Sequence, residues 1–412
     1  MTIWKKTLLT LMCSSTLLLG ACNSDSKDEP IGTAYPTYLS ETRYNKDSLI
    51  AAGQMSIMKY TMPNVEGKDI TASALVLTPR TARPVDGWRV VVWEHGTVGS
   101  GDACAPSQNK FDDQFKLLAE VLLAAGYVIV APDYEGLGEK GIHPYLHLKS
   151  AAQSAIYAQK AYQERYATQA KGTWMSVGQS QGGHASLATA EIAQNDTNYL
   201  GAVAAAPASS LGYIIKNVAP ELLQQVLFGE SVGALPKGTA AAGYADLLAF
   251  AAYVTTGIQA YDPSFDYKTV FEPRSQPIVD AAMGTTGDNG LCLNELGPKF
   301  TQDILQYVAE NPGKTVLDYP GLIQDFDQNQ AVGQFLLNNQ PATKYIAKPI
   351  MVVQGTADAA VPAAITQQLV GNLSELGSEV ELHLVEGGTH SLAISMKTKE
   401  ILEFVQQHMP AR

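Results

Sequence analysis

The pentapeptide Gly178-Gln179-Ser180-Gln181-Gly182 constrains the fold more than any other stretch of the chain. Trp174-Met175-Ser176-Val177 before it is β-prone, and the run from Gly183 to Ala190 after it is helix-prone. A strand that turns this sharply into a helix holds its middle residue in a strained backbone conformation. The flanking positions then lie against neighbouring backbone, where glycine fits and larger residues crowd. Such a turn lifts the Ser180 hydroxyl above the sheet edge and aims the Gln181 N–H at the space beside it. Gly229-Glu230-Ser231-Val232-Gly233 has the same pattern, but the helical run Pro220–Phe228 precedes it and Ala234–Gly238 breaks structure after it. Lacking strand, turn and helix in that order, the second match reads as chance.

An exposed serine becomes a nucleophile when a base takes its proton and an acid orients the base. For a serine in this setting the chain order is serine, acid, histidine. His95, His143 and His147 precede Ser180. His184 follows it by one turn on a helix leading away, His383 sits in the alternating run Glu379–Leu384, and His408 lies near the end of the final helix. His390 remains, in the Gly-rich loop Val385-Glu386-Gly387-Gly388-Thr389-His390-Ser391. The acid belongs after an intervening strand. Pro349–Gln354 is a short apolar run of the buried parallel type, and Gly355-Thr356-Ala357-Asp358 follows it. Asp358 is therefore the expected acid, although an aspartate ahead of Pro362 also suits a helix cap. Asp133 precedes the serine and reads as a structural residue of its loop.

A tetrahedral oxyanion needs a second backbone donor besides Gln181. The strand Trp88–Trp93 leads into Glu94-His95-Gly96-Thr97-Val98-Gly99-Ser100-Gly101, where Gly96 or Thr97 would supply it.

Strand and helix patterns alternate along most of the chain. Gln54–Met62 and Thr71–Pro79 read as an antiparallel pair. Strands at Trp88–Trp93, Tyr127–Ala131, Thr173–Val177 and Leu200–Ala206 alternate with helices at Asp112–Ala125, at His147–Ala167 and after Ser180. The pattern resumes at Pro349–Gln354 and Glu379–Leu384 and closes with a helix over Ser391–His408. This predicts an α/β fold with a mostly parallel central sheet flanked by helices. From 208 to 343 the alternation stops, and helix-like stretches such as Pro220–Phe228 and Ala240–Tyr253 appear. That segment reads as a mainly helical cap inserted above Ser180. A second independent domain is the alternative, though no long linker flanks it.

The N-terminus predicts export. Lys5-Lys6 precede an apolar run, Thr7–Leu19, that is short for a membrane span. Leu19-Gly20-Ala21-Cys22 resembles a bacterial lipobox, which implies cleavage before Cys22 and lipidation on it. Plain secretion by cleavage at a small residue is the alternative. Asn23 after the cysteine favours the outer membrane by analogy with enteric lipoproteins. The expected division is a signal peptide over 1–21, a lipidated tether over 22–50, a core over 51–207 and 344–412, and a cap over 208–343. Of the four cysteines, Cys104 and Cys292 would then meet an oxidising compartment, where a disulfide is the default and two buried thiols the alternative. Closing so long a loop contributes about 4–5 kcal/mol in the chain-entropy model.

The net charge is −12 with 28 basic residues, which argues against nucleic acid as a partner. Asp325-Phe326-Asp327-Gln328-Asn329 opens like a calcium loop. Gln330 and Leu336 occupy the places that need glycine and glutamate, so a solvated turn is expected there. No histidine–cysteine spacing implies zinc, no Gly-rich phosphate loop appears, and serine hydrolysis needs no cofactor.

Taken in order, Gly178–Gly183, Asp358 and His390 resemble the α/β-hydrolase superfamily over nearly the whole chain after the signal. Within it the chain looks like the secretory lipase family of the lipase A type. The supporting residues are His95-Gly96-Thr97, Asp102–Ser107, Pro132–Gly138 and His143-Pro144-Tyr145, together with the cap-sized insertion. The resemblance implies Ser180 as nucleophile, Asp358 as acid, His390 as base, and small-molecule or lipid esters whose acyl chain enters under the cap. A lipidated N-terminus departs from soluble secreted lipases. The expectation is a serine carboxylic ester hydrolase working through an acyl-enzyme. The rivals are a serine peptidase or acyltransferase on the same triad, and a non-catalytic lipoprotein that binds a hydrophobic ligand.

Overall fold

The computed structural model describes residues 37–411. The expected signal segment, Cys22 and the start of the expected tether lie outside the described residues. Nine strands form one sheet: β1 (Tyr38–Arg43), β2 (Ala52–Pro63), β3 (Asp69–Pro79), β4 (Trp88–Glu94), β5 (Tyr127–Pro132), β6 (Ala170–Gln179), β7 (Tyr199–Ala205), β8 (Ile350–Gly355) and β9 (Val380–Val385). Their order across the sheet is β1-β2-β3-β5-β4-β6-β7-β8-β9. The first three strands and the β3–β5 pairing are antiparallel, and from β5 to β9 all pairings are parallel.

β1 corrects the expected tether over 22–50, because residues 38–43 pair with β2 as an edge of the sheet. Its sequence, Tyr-Leu-Ser-Glu-Thr-Arg, shows no apolar alternation because an edge strand leaves much of its surface in solvent. It also makes Trp88–Glu94 the fourth strand in the chain.

The interior strands are apolar on both faces because helices cover both faces. Side chains alternate along β4, so Val91 and Trp93 join one core and Val90 and Val92 the other. The first core is closed by α1 (Asp113–Ala124), together with α11 (Leu392–Ser395) and α12 (Thr398–His408), which follow the elements numbered next. The second core is closed by α2 (Leu148–Arg165), α3 (Gln181–Ala193) and α10 (Ala363–Glu375). Ala152, Ala155, Ala158 and Ala161 recur every third residue on α2, which lays a small-residue stripe against the sheet. The single closing helix expected over Ser391–His408 is two helices, broken at Met396-Lys397.

Between β7 and β8 the chain runs through α4 (Leu211–Tyr213), a π turn at Ile214–Val218, α5 (Ala219–Ser231), α6 (Thr239–Ile258), α7 (Gln276–Met283), α8 (Leu293–Glu310) and α9 (Gln330–Asn338). This helical segment has its own apolar cluster centred on α6, which packs on α8. Ser231, the serine of the second pentapeptide match, ends α5 with its hydroxyl on the Phe228 carbonyl. Within Asp325–Asn329 the chain makes a short 3-10 turn, Phe326–Gln328, whose Asp327 pairs with Lys216 at 2.7 Å.

The segment after β4 is fastened to this helical insertion. Cys104 and Cys292 form a disulfide. Gly99 bridges Cys292, Leu293 N donates to Val98 O at 2.8 Å, and Asp102 N donates to Asp288 O at 2.8 Å.

Candidate active site

Ser180 stands between the carboxyl end of β6 and the first turn of α3, with φ 59° and ψ −115°. A left-handed φ is costly for a residue with a Cβ and persists because the surroundings enforce it. The Ser180 N–H donates to Ala205 O at 2.9 Å, which locks the turn onto β7. A Cβ on Gly178 would collide with the Gly182 carbonyl, and one on Gly182 with the Glu94 carbonyl. The glycines are required by this approach of three backbones.

Asp358 follows β8, and its carboxylate is fully buried. One oxygen accepts from the Ala360 and Val361 N–H groups, both at 2.9 Å. The other accepts from Gln354 Nε2 at 3.0 Å and from His390 Nδ1–H at 2.8 Å. With Nδ1 donating, His390 Nε2 carries the lone pair and accepts the Ser180 hydroxyl at 2.8 Å. Gln179 Nε2 donates to the His390 carbonyl at 3.0 Å and fixes its loop. The structure thus joins Ser180, His390 and Asp358 into one hydrogen-bonded line from three distant parts of the chain.

Gly96 lies against Gln179 and Ser180, and Thr97 lines the space above Ser180 together with His390. Gln181 opens α3, where the helix dipole concentrates positive partial charge. Its side chain is buried and its Nε2 donates to His143 Nε2 at 3.1 Å.

Two cavities meet at Ser180 and His390. One runs under the helical insertion and is walled by aliphatic and aromatic side chains such as Ile214, Leu247, Val254 and Phe250. The other lies on the α1 side, with Lys110, Asp112 and Gln114 among its lining beside Trp93 and Phe115. Thr97 and Phe250 separate the two.

The remaining sequence candidates fall elsewhere. Asp133 is buried and holds the Ser73 hydroxyl at 2.6 Å and the Ser107 N–H at 2.8 Å, and burial pushes its carboxyl up to about 6. His184 Nε2 donates to Asn339 O at 2.9 Å, away from Ser180. His383 meets Glu381 on β9, and the His408 ring lies tilted against Phe404.

Gln354 was not singled out from sequence. Its amide donates to Asp358, Gly355 O and Val361 O, and its carbonyl accepts the Thr366 hydroxyl at 2.6 Å. The available signal was a glutamine ending an otherwise apolar buried strand, since a fully buried amide must find partners.

The prolyl oligopeptidase family matches residues 320–411, which include Asp358 and His390 but not Ser180. No sequence match was found among curated proteins. Among solved structures, the rice cell wall degrading esterase LipA from Xanthomonas oryzae is 19% identical with a TM-score of 0.66, covering 92% of this chain and 100% of that one. A protein of Legionella pneumophila is 19% identical with a TM-score of 0.64, covering 90% and 98%. Candida antarctica lipase A in its closed state is 15% identical with a TM-score of 0.62, covering 90% and 82%. The chain has the α/β-hydrolase fold.

Proposed function

We propose that this α/β-hydrolase-fold protein is a serine carboxylic ester hydrolase of the lipase or esterase kind. The observation that carries the reading is the hydrogen-bonded line Ser180–His390–Asp358 set at the junction of an apolar cavity and a more polar one. Ser180 Oγ attacks the ester carbonyl while His390 Nε2 takes its proton. Asp358 holds the imidazole in the required tautomer and stabilises its charged form. The Gln181 N–H and the Gly96–Thr97 backbone hold the oxyanion, each donor contributing about 3–4 kcal/mol to lowering the barrier. His390 returns its proton to the departing alcohol. A water molecule that it then deprotonates releases the acid and frees Ser180.

The helical segment 208–343 acts as a cap, and the apolar cavity beneath it takes the acyl chain. The cavity on the α1 side takes the alcohol. The LipA and lipase A structures share the fold and are named as an esterase and a lipase, in line with this assignment. Export with a lipid on Cys22 remains the reading of Leu19–Cys22, and Cys22→Ala is expected to release the protein from the membrane fraction.

The test is hydrolysis of nitrophenyl esters of increasing acyl length, with Ser180→Ala alongside. Ser180→Ala should lose about 10⁴-fold or more in kcat while folding normally. Specificity should rise by up to about fourfold per added methylene until the cavity is full, since each buried CH₂ contributes ~0.8 kcal/mol. Ester cleavage that survives Ser180→Ala, or a folded protein that cleaves no ester, would overturn the reading. The prolyl oligopeptidase match favours a peptidase as the second reading. Serine-dependent cleavage of dipeptidyl nitroanilides exceeding that of esters would move the assignment there.

A further inference from the structure

We infer that the segment His143-Pro144-Tyr145 is a staple that positions both arms of the oxyanion hole. It rests on the ester hydrolase reading of Ser180. One end of the staple reaches the Gln181 arm. His143 Nδ1 donates to the Glu135 carbonyl at 2.7 Å, which leaves Nε2 as an acceptor for the Gln181 side-chain amide at 3.1 Å. The other end reaches the Gly96–Thr97 arm, where the Tyr145 hydroxyl and Thr97 Oγ1 are 2.6 Å apart. These contacts lie two positions apart in the chain, while their targets, Thr97 and Gln181, are 84 positions apart.

His143, Tyr145 and Gln181 are all buried, and the His143–Gln181 hydrogen bond is shielded from competing water. Burial also pushes the His143 ring down to about 4, which keeps it neutral and Nε2 accepting under ordinary conditions. Rings brace the staple on both sides. Tyr134 stacks on His143 with centroids 6.0 Å apart and donates its hydroxyl to His95 O at 3.0 Å, one residue before Gly96. Tyr145 meets Tyr253 of α6 edge-on at 5.8 Å. Gly257 of α6 lies flat on the staple, where a Cβ would come 2.9 Å from His143 O and 2.8 Å from Tyr145 N.

Oxyanion stabilisation depends on donors fixed before charge develops, because a donor that must reorient spends part of its stabilisation on reorganisation. Neither His143 nor Tyr145 is assigned a contact with the oxyanion itself. They are positioning residues acting through Gln181 and Thr97. The role predicts a specific kinetic signature, in which ground-state binding is spared and transition-state binding is weakened.

The test compares wild type with His143→Leu, His143→Gln and Tyr145→Phe on a nitrophenyl ester, and measures the Ki of an acyl trifluoromethyl ketone. That ketone adds Ser180 Oγ to its carbonyl carbon, and the resulting hemiketal oxyanion occupies the oxyanion hole. His143→Leu and Tyr145→Phe should each lower kcat by roughly tenfold with KM nearly unchanged, below the 10²–10³ loss for removing a donor outright. Both should weaken the ketone by a similar factor. His143→Gln places an acceptor near the former Nε2 and should recover much of the loss. A variant pair that melts lower yet keeps wild-type kcat and ketone affinity would overturn the staple and leave the ester hydrolase reading standing. A loss that His143→Gln does not recover would also overturn it. A wild-type protein that neither cleaves esters nor binds the ketone would instead remove the underlying function. If His143→Leu fails to fold, Tyr145→Phe alone decides, since it deletes one oxygen.

Discussion

Gln354 and His390 both donate to the same Asp358 oxygen, Gln354 from the end of β8 at 3.0 Å and His390 from the loop after β9 at 2.8 Å. The carboxylate that orients the histidine is therefore itself oriented by a buried amide, which Thr366 of α10 fixes in turn. Supporting partners of this kind hold a catalytic group within the narrow range of useful geometry. Gln354→Leu should leave the Val361 and Gly355 carbonyls without their donor and lower stability by about 1–3 kcal/mol. It should also lower kcat more than KM. Chemical denaturation beside steady-state kinetics checks both, and Thr366→Val should give a weaker version of the same pattern.

The strained turn at Ser180 predicts a separation of stability from activity. At φ 59° and ψ −115° a side chain is unfavourable, and glycine relieves the strain. Ser180→Gly should be more stable than Ser180→Ala by about 1 kcal/mol, with neither variant turning over ester. Thermal melts of the two inactive proteins decide this, and a lower melting temperature for Ser180→Gly would count against strain at the turn.

Glu94 predicts an alkaline weakness. It is fully buried, its carboxyl takes one hydrogen bond among the described residues, from the Thr189 hydroxyl at 2.6 Å, and burial holds that carboxyl well above the usual range. The folded protein therefore keeps a proton that the unfolded chain releases near pH 4.5. Stability from this group is full below that value and is lost as pH rises toward the folded value. Glu94→Gln cannot ionise, so its stability relative to wild type should increase steadily from pH 4 to pH 9. Urea denaturation across that range would reveal a flat difference if Glu94 were ionised in the folded state.

The buried histidines predict the opposite limb. Burial pushes His95, His143 and His184 down to about 4. The unfolded chain takes up protons near pH 6.5 that the folded protein refuses, so stability should fall from about pH 6.5 toward 4. His184→Gln keeps a donor for Asn339 O and removes one titration. It should lose less stability than wild type between pH 7 and pH 5, and an equal loss would show that His184 does not contribute.

The disulfide joins the segment after β4 to the start of α8 across 188 positions. Cys104→Ala with Cys292→Ala should lower stability by up to about 4–5 kcal/mol in the chain-entropy model. The same region keeps its backbone bridges, Gly99 to Cys292 and Leu293 to Val98, so the fold should persist. Melting the oxidised, reduced and double-variant proteins measures the effect, and unchanged melting on reduction would contradict it.

Local patterns carried much of this protein. The apolar runs of β4, β5 and β8 announced buried parallel strands, because no other short element is apolar on both faces. The glycines around Ser180 announced a turn whose geometry only glycine tolerates. Chain order singled out Asp358 and His390, and the structure brings both to Ser180. Other features depend on what each residue meets in space. The polar edge strand β1 has no sequence period because solvent covers much of it, and the break at Met396-Lys397 interrupts an otherwise helical pattern. Gln354, His143 and Tyr145 gain their places from partners that only the folded chain brings near. The helices of the insertion were legible, but not which of their side chains wall the cavity, because that depends on how α6 packs on α8 and over Ser180. Short-range periodicity, turn chemistry and chain order determined the elements and pointed to the three residues that the fold joins. Long-range packing decided the pocket and the hydrogen bonds that hold those residues in place.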